Sequence, residues 1–212
     1  MSRVFEVDPE RPEEAGVAVR VAARAVAEGS LVVFPTETVY GIAVRPDLST
    51  ATRRLFAVKR RPAALSLPVL VSDPAAAWKL GVASPEARRL ADRFWPGPLT
   101  LVLRRTRESS PWDLGERTDS VAVRVPAHAV ARRLLVGAGP LAATSANPSG
   151  TPPIEDAEAL VETFGDDVAV FLLLAPGATR PSGIASTVVD LTGDVAEVTR
   201  KGAVDATEPP PW

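Results

Sequence analysis

LVVFPTETVYG, residues 31–41, is the stretch that decides how the chain is read. Leu31 to Pro35 form a short apolar run rich in β-branched and aromatic residues, which suits a strand in a sheet interior. Pro35 has no amide hydrogen to donate and belongs at the strand's end. Thr36, Glu37, Thr38 and Tyr40 then bring two hydroxyls, a carboxylate and a phenol before Gly41 closes the loop. A turn that only reverses the chain needs none of these, and loops at the end of a rigid strand are where binding groups sit. The commoner meaning of Thr-x-Thr is a self-contained turn whose hydroxyls satisfy nearby backbone groups. The choice depends on what the rest of the chain brings to this loop.

At 212 residues, with 46% hydrophobic and 24% charged residues, the composition is that of one soluble globular domain over residues 1–212. Apolar runs such as VAVFLLLA (168–175) are far too short to span a bilayer, so no membrane partner is expected. The acid-bearing N-terminal stretch is not a signal peptide, which makes the cytoplasm the expected compartment. There is no cysteine, which excludes disulfides, thiolate catalysis and cysteine-ligated metal. A single histidine, His128, leaves no histidine cluster, and no protein-ligated metal is expected. Residues 50–133 carry 16 Lys/Arg against 7 Asp/Glu, and the remainder 8 against 19. A cationic middle between acidic ends points to a surface that meets anions, phosphates or RNA. A solvated basic face accounts for many of these arginines.

The patterning predicts strands at 4–7, 31–35, 42–44, 67–71, 99–103, 121–125, 141–144, 168–174, 187–191 and 195–199. It predicts helices from Pro12 to Gly29, over 48–59 capped by Ser49 or Thr50, from Ser84 toward Trp95, over 127–136, and over 153–164 before Gly165. Residues 105–119 (RTRESSPWDLGERTD) read as a long mobile loop and a lid candidate, and 204–212 as a frayed tail. Strands alternating with helices give an α/β fold, with antiparallel pairing from the terminal hairpin.

Four further stretches carry polar groups. Lys59-Arg60-Arg61-Pro62 ends a helix, where the dipole favours cations; yet Pro62 halts the helix and leaves three cations at a loop suited to phosphate or carboxylate. TSANPSG (144–150) follows a strand with small residues that permit close backbone approach, and Ser145 and Asn147 add a hydroxyl and an amide. An Asn-Pro turn is its commoner meaning. In SVAVRVP (120–126), Arg124 is either a snorkelling edge residue or a carboxylate clamp. STVVD (186–190) and Arg200-Lys201-Gly202 complete the set. There is no Walker-type phosphate loop, dinucleotide-binding glycine fingerprint, nucleophile elbow or paired-histidine zinc helix. The residues alone support a site for a small anionic ligand.

Together these stretches resemble the YrdC-like family, the bacterial threonylcarbamoyl-AMP synthases. PTETVYG, K-R-R-P, WPGPLTLVL, SVAVRVP with His128, TSANPSG, STVVDL and the closing R-K-G stand in that family's order, from Gly29 to Gly202, within a matching core of about 16–203. Each piece is weak alone, but the ordered set is specific. The resemblance implies the single-domain form: an open twisted mixed sheet with flanking helices and a concave, positively charged face. It implies that L-threonine, bicarbonate and ATP become threonylcarbamoyl-AMP and pyrophosphate, with Mg2+ arriving on the nucleotide. The product would feed threonylcarbamoyladenosine formation in tRNA by a separate transferase complex; direct contact with tRNA is left open.

Carried over position by position, the resemblance puts Lys59, Arg61, Ser145 and Asn147 at the reacting centre, against ATP and the carbamate. Thr38, Arg124 and Ser186 would hold L-threonine, with Tyr40 and Thr144 on the pocket wall. Ser120 and Arg200 would join Lys59, Arg61 and Asn147 on the nucleotide side. His128 receives no role. Two positions depart from the family pattern: Ala63-Ala64-Leu65-Ser66 replace a polar or basic residue after Pro62, and Glu155 stands where some members carry a hydroxyl. The rival readings are an RNA-binding module without turnover and a related carbamoyl- or acyl-adenylating enzyme. Aromatic content of 5% counts against the first, because single-strand readers need stacking platforms. The second is disfavoured because such chains carry further domains.

Overall fold

In a computed structural model that describes residues 2–206, the chain runs β1 (Arg3–Val7), α1 (Gly16–Ala27), β2 (Leu31–Pro35), β3 (Tyr40–Val44), α2 (Ser49–Lys59), β4 (Val69–Leu70), α3 (Pro74–Leu80), α4 (Pro85–Phe94), β5 (Leu99–Arg104), β6 (Ser120–Arg124), α5 (Ala129–Ala138), β7 (Leu141–Ser145), α6 (Ala157–Phe164), β8 (Val168–Leu174), β9 (Thr187–Asp190) and β10 (Glu197–Arg200). One open sheet has the order β1-β8-β2-β3-β7-β4-β6-β5-β9-β10. Antiparallel pairing is not confined to the terminal hairpin. The loop between β2 and β3 is too short for a crossover, so those strands pair antiparallel, as do β3 with β7, β4 with β7 and β5 with β6. The parallel pairs are β1 with β8, β2 with β8, β4 with β6 and β5 with β9.

Two buried clusters explain the continuous apolar strands. Leu31 and Val33 of β2 join a core on the face that carries Leu55 of α2, Leu90 of α4 and Leu160 of α6. Val32 and Phe34 point the other way, toward Val19 and Ala22 of α1 and Leu134 of α5. A strand covered on both faces has no water-facing positions to alternate with, so its sequence is an unbroken apolar run.

Several boundaries differ from those the patterning predicts. Helix α1 starts at Gly16, because Asp8 captures the Glu10 amide and the Arg11 side chain and holds residues before it in turns. Neither Ser49 nor Thr50 caps α2; Leu48 is the N-cap and Ser49 is already helical. Pro68 limits the strand at 67–71 to Val69–Leu70. The patterning does not predict helix α3, although Asp73 accepts a hydrogen bond from the Ala76 amide and Pro74 follows as the first helical residue, a recognisable start. Helix α6 begins at Ala157, capped by Asp156.

The segment 105–119 is pinned rather than mobile. Arg105 donates to the carbonyls of Ser109, Trp112, Arg117 and Ser120, and Leu114 is fully buried. At the other end, Thr187 Oγ1 bonds the Val204 carbonyl at 2.5 Å, and Val204 and Ala206 pack on the core. The first part of the expected frayed tail is therefore tied down, and its remainder, 207–212, lies outside the described residues. Among the described residues no helix is long and apolar enough to cross a membrane.

Candidate active site

The loop after β2 resolves both meanings of Thr-x-Thr. Thr36 Oγ1 accepts from the Thr38 and Val39 amides at 3.2 Å and donates to the Val39 carbonyl at 2.6 Å. That hydroxyl is consumed by the turn. Thr38 Oγ1 instead lies 2.9 Å from Thr36 Oγ1 and accepts from Arg124 Nη1 at 3.1 Å. One threonine builds the turn and the other presents a group to a pocket.

That pocket, of about 160 Å³, lies where the loop meets the ends of β6 and β7 and the approach to β9. Thr38, Arg61, Arg124, Thr144, Ser145, Ser186 and Arg200 line it, together with Thr36 and Thr100 and an apolar wall that includes Pro68, Leu70 and Ala143. Strands distant in sequence deliver these groups to one place: β6 brings Arg124, β7 brings Thr144 and Ser145, and β10 brings Arg200.

Arg124, 6% exposed, is held from three sides. Nε donates to the Gly97 carbonyl at 3.1 Å, Nη1 to Thr38, and Nη2 to Glu37 Oε1 at 2.7 Å. A guanidinium has five N–H groups. Among the described residues these contacts use three, and the remaining two, one on each terminal nitrogen, match the oxygens of an incoming carboxylate. Burial pushes the Glu37 carboxyl up, but the charge and hydrogen bond of Arg124 outweigh it and hold the group below its usual range.

Helix α2 ends so as to aim two cations inward. Arg60 adopts the left-handed conformation (φ 49°) and turns the chain, so that Lys59 is buried while Arg60 stays exposed. Lys59 Nζ donates to the Ser145 carbonyl and to Thr144 Oγ1, the latter at 3.3 Å. Burial, with the nearby Arg61 charge, lowers its pKa from 10.5 to about 7. Arg61 donates to the Leu65 and Ser66 carbonyls at 2.7 and 3.1 Å and is depressed by burial and by Arg200. Arg200 bonds the Ser186 carbonyl and hydroxyl, both at 3.0 Å, and is depressed by burial and by Arg124. Ser186 Oγ also pairs with Thr100 Oγ1 at 2.8 Å. Lys59, Arg61, Arg200 and Arg124 thus form a chain of mutually repelling cations, with Glu37 as the carboxylate paired into it.

Four expected site residues do not line this pocket: Lys59, which reaches its edge through Thr144 and Ser145, and Tyr40, Ser120 and Asn147. Tyr40 is the first residue of β3, and alternation turns it to the opposite face from Gly41, which lines the pocket; its hydroxyl accepts the Leu174 amide at 3.0 Å beside a separate cavity. Ser120 begins β6, about 13 Å of extended chain from Arg124, and is buried. Asn147 is also buried; its amide nitrogen donates to the Pro148 and Thr151 carbonyls while Oδ1 has no partner among the described residues. The half-buried His128 ring makes no hydrogen bond among the described residues; burial lowers its pKa and Glu37 opposes that. Thr36, Thr100 and Glu37 are the site groups without an assignment from sequence. Glu37 stood in the quoted loop, but its partner is 87 residues away. Among the described residues no group of three or more His, Cys, Asp or Glu could hold a metal ion.

The Sua5/YciO/YrdC family profile, described as "Telomere recombination", matches residues 24–202. A Mycobacterium tuberculosis protein provisionally called a threonylcarbamoyl-AMP synthase is 41% identical over 194 residues, 91% of this chain and 88% of that protein. The threonylcarbamoyl-AMP synthase of Pyrococcus abyssi is 42% identical over 176 residues, 82% of this chain but 51% of that longer protein. The crystal structure of P. abyssi Sua5 complexed with L-threonine superposes with a TM-score of 0.77 at 34% identity, covering 95% of this chain and 57% of that one. With most of its length matched by the profile and by relatives above 40% identity, the chain belongs to the Sua5/YciO/YrdC family.

Proposed function

We propose that this protein is a threonylcarbamoyl-AMP synthase, a nucleotidyltransferase that acts on L-threonine, bicarbonate and ATP. The observation that carries the proposal is the pocket itself: three arginines and several hydroxyls around a space for a small molecule, with Lys59 bonded to its Thr144 and Ser145 edge and Glu37 paired to Arg124. The names of the relatives and the threonine-bound P. abyssi structure support the same reading.

In this reading the threonine nitrogen bonds the carbon of bicarbonate and water leaves, giving a carbamate. A carbamate oxygen then attacks the α-phosphorus of ATP, the bond to the β-phosphate bridge breaks, and pyrophosphate departs. The attacking group is already an anion, so no activated serine or cysteine is needed. The protein's task is positioning and charge neutralisation. Arg124, with its free fork edge, grips the threonine carboxylate, while Thr38 and Ser186 face the side chain, with Thr144 on the wall. Lys59 and Arg61 meet the reacting phosphate with Ser145 and Asn147, and Arg200 and Ser120 lie toward the nucleotide. Mg2+ enters as part of the substrate MgATP and shares the phosphate charge. A concave cationic face around the pocket, a cytoplasmic location, supply of the adenylate to a tRNA-modifying transferase complex and contact with tRNA belong to the same proposal.

The test is pyrophosphate release from ATP by the purified protein, with L-threonine and bicarbonate omitted in turn. Release that needs both, and fails with serine or valine at equal concentration, is expected. Release without threonine would assign a different acceptor. No release from folded protein, with steeply salt-dependent RNA binding, would favour the RNA-binding reading.

A further inference from the structure

We infer that Gly115, in the segment 105–119, is a positioning residue for Arg61. The inference rests on the proposed nucleotide role of Arg61 for its functional part, but not for its structural part. Arg61 is fixed through the backbone of its own loop, by the Leu65 and Ser66 carbonyls. That loop is stitched in turn to the neighbouring segment. The Leu67 amide donates to the Leu114 carbonyl at 2.7 Å, and the Glu116 amide to the Ala63 carbonyl at 3.0 Å.

Gly115 sits between those two bonds, with φ at +122°, a conformation side-chain-bearing residues rarely adopt. A Cβ there would stand 2.6 Å from the Ala63 oxygen, 3.0 Å from Ser66 Cα and 3.1 Å from Ser66 Oγ. Two of these are backbone atoms and cannot swing aside. Restoring ordinary contact at 3.4 Å from the Ala63 oxygen requires a retreat of about 0.8 Å. The carbonyl that Arg61 Nη2 uses belongs to Ser66, so the retreat reaches the guanidinium directly. The other side is tied down chiefly by Arg105, which clamps the segment through Ser109, Trp112 and Arg117, with the exposed Arg53–Asp113 pair at 3.1 Å adding to it. Residues 105–119 therefore act as a brace behind a cationic wall of the pocket.

The test has two arms, both using the full chain. In hydrogen exchange, Gly115→Ala is expected to lose protection at the Leu67 and Glu116 amides, while Val121 and Val123 in the adjacent β6 keep theirs. Unchanged exchange at Leu67 and Glu116 would overturn the brace, whatever the protein's activity. In calorimetric ATP titration, Gly115→Ala is expected to weaken binding about 10-fold in the wild-type background and not at all in an Arg61→Ala background, because coupled residues are non-additive. Equal weakening in both backgrounds would show that Gly115 acts on general stability and not through Arg61. If the wild type binds no ATP, the proposed function falls and the exchange arm still decides the brace. Should Gly115→Ala fail to fold, Arg53→Ala with Asp113→Ala, which loosens the same segment without a clash, is expected to shift the same two amides; no shift there would overturn the inference.

Discussion

Replacing Lys59 by methionine removes a buried charge while nearly conserving volume, and the structure gives the expected effect both sign and size. The native pKa is about 7 and the ordinary value 10.5. Between these, the unfolded chain binds a proton at this position that the native chain does not. Stability therefore rises with pH across that window, and below pH 7 the full penalty of burying the ammonium applies. Each unit above pH 7 relieves about 1.4 kcal/mol, up to about 5 kcal/mol over the whole shift. Urea denaturation without nucleotide at pH 6.5 and pH 9 measures this directly. The stability of wild type relative to Lys59→Met is expected to rise by about 2–3 kcal/mol between those conditions. The hydrogen bonds from Nζ to Ser145 and Thr144 are lost at both pH values and cancel to first order. Nucleotide provides an independent reading of the same charge. At pH 8 the free site is about nine-tenths neutral, and phosphate oxygens would restore the ammonium, so ATP binding is expected to take up close to one proton. Calorimetry in buffers of different ionisation enthalpy reads that uptake. A pH-independent stability difference with no proton uptake would refute the account of Lys59 as a desolvated cation waiting for an anion.

Arg61→Ala is expected to lower threonine-dependent pyrophosphate release by ~100-fold or more, the scale for losing one preorganised electrostatic group; near-normal turnover in a folded variant would remove Arg61 from the reacting centre. Arg124→Lys keeps the charge but loses the fork, so KM for threonine should rise about 10-fold or more while KM for ATP changes little; equal changes in both would contradict a carboxylate clamp. Tyr40→Phe orphans the Leu174 amide and should cost about 1–2 kcal/mol in urea denaturation with no change in KM for threonine; a raised KM would return Tyr40 to the pocket wall.

What was legible in the sequence is what short-range pattern can encode. The unbroken run at 31–35 and the cations before Pro62 declare a buried strand and a halted helix, and both stand in the structure. The boundary errors come from local caps and turns, whereas the misreadings around the site depend on side-chain contacts or a strand face that spacing and composition do not record. Polarity and closeness group Tyr40 with Thr38, whereas β3 starts at Tyr40 and its two-residue period turns that side chain away from the pocket face that Gly41 shares. The segment 105–119 looks like a loose excursion because it is polar and lacks periodicity. Its order comes from Arg105, which reaches four backbone carbonyls and leaves no trace in spacing. Glu37 could not be assigned from its own loop, since what makes it part of the site is Arg124.

The same geometry explains why the site needs so much fold behind it. Four cations drawn out of water toward one another are unfavourable before any ligand arrives, and Glu37 offsets one of them. Left on flexible loops, these side chains would swing apart into solvent. Here each is anchored to backbone: Arg124 on the Gly97 carbonyl, Arg200 on Ser186, Arg61 on Leu65 and Ser66, and Lys59 on Ser145. The anchoring carbonyls belong to segments fixed by a sheet whose central strands are buried on both faces, so the three arginines cannot move apart, and Lys59 relieves its share only by giving up its proton. An arriving anion gains attraction to all three arginines at once with little side-chain movement, and it returns the proton to Lys59. A substrate set that brings a carboxylate, bicarbonate and a triphosphate together is the chemistry for which that arrangement is worth maintaining. A single arginine on the same scaffold would bind threonine but could not hold three anions near one phosphorus.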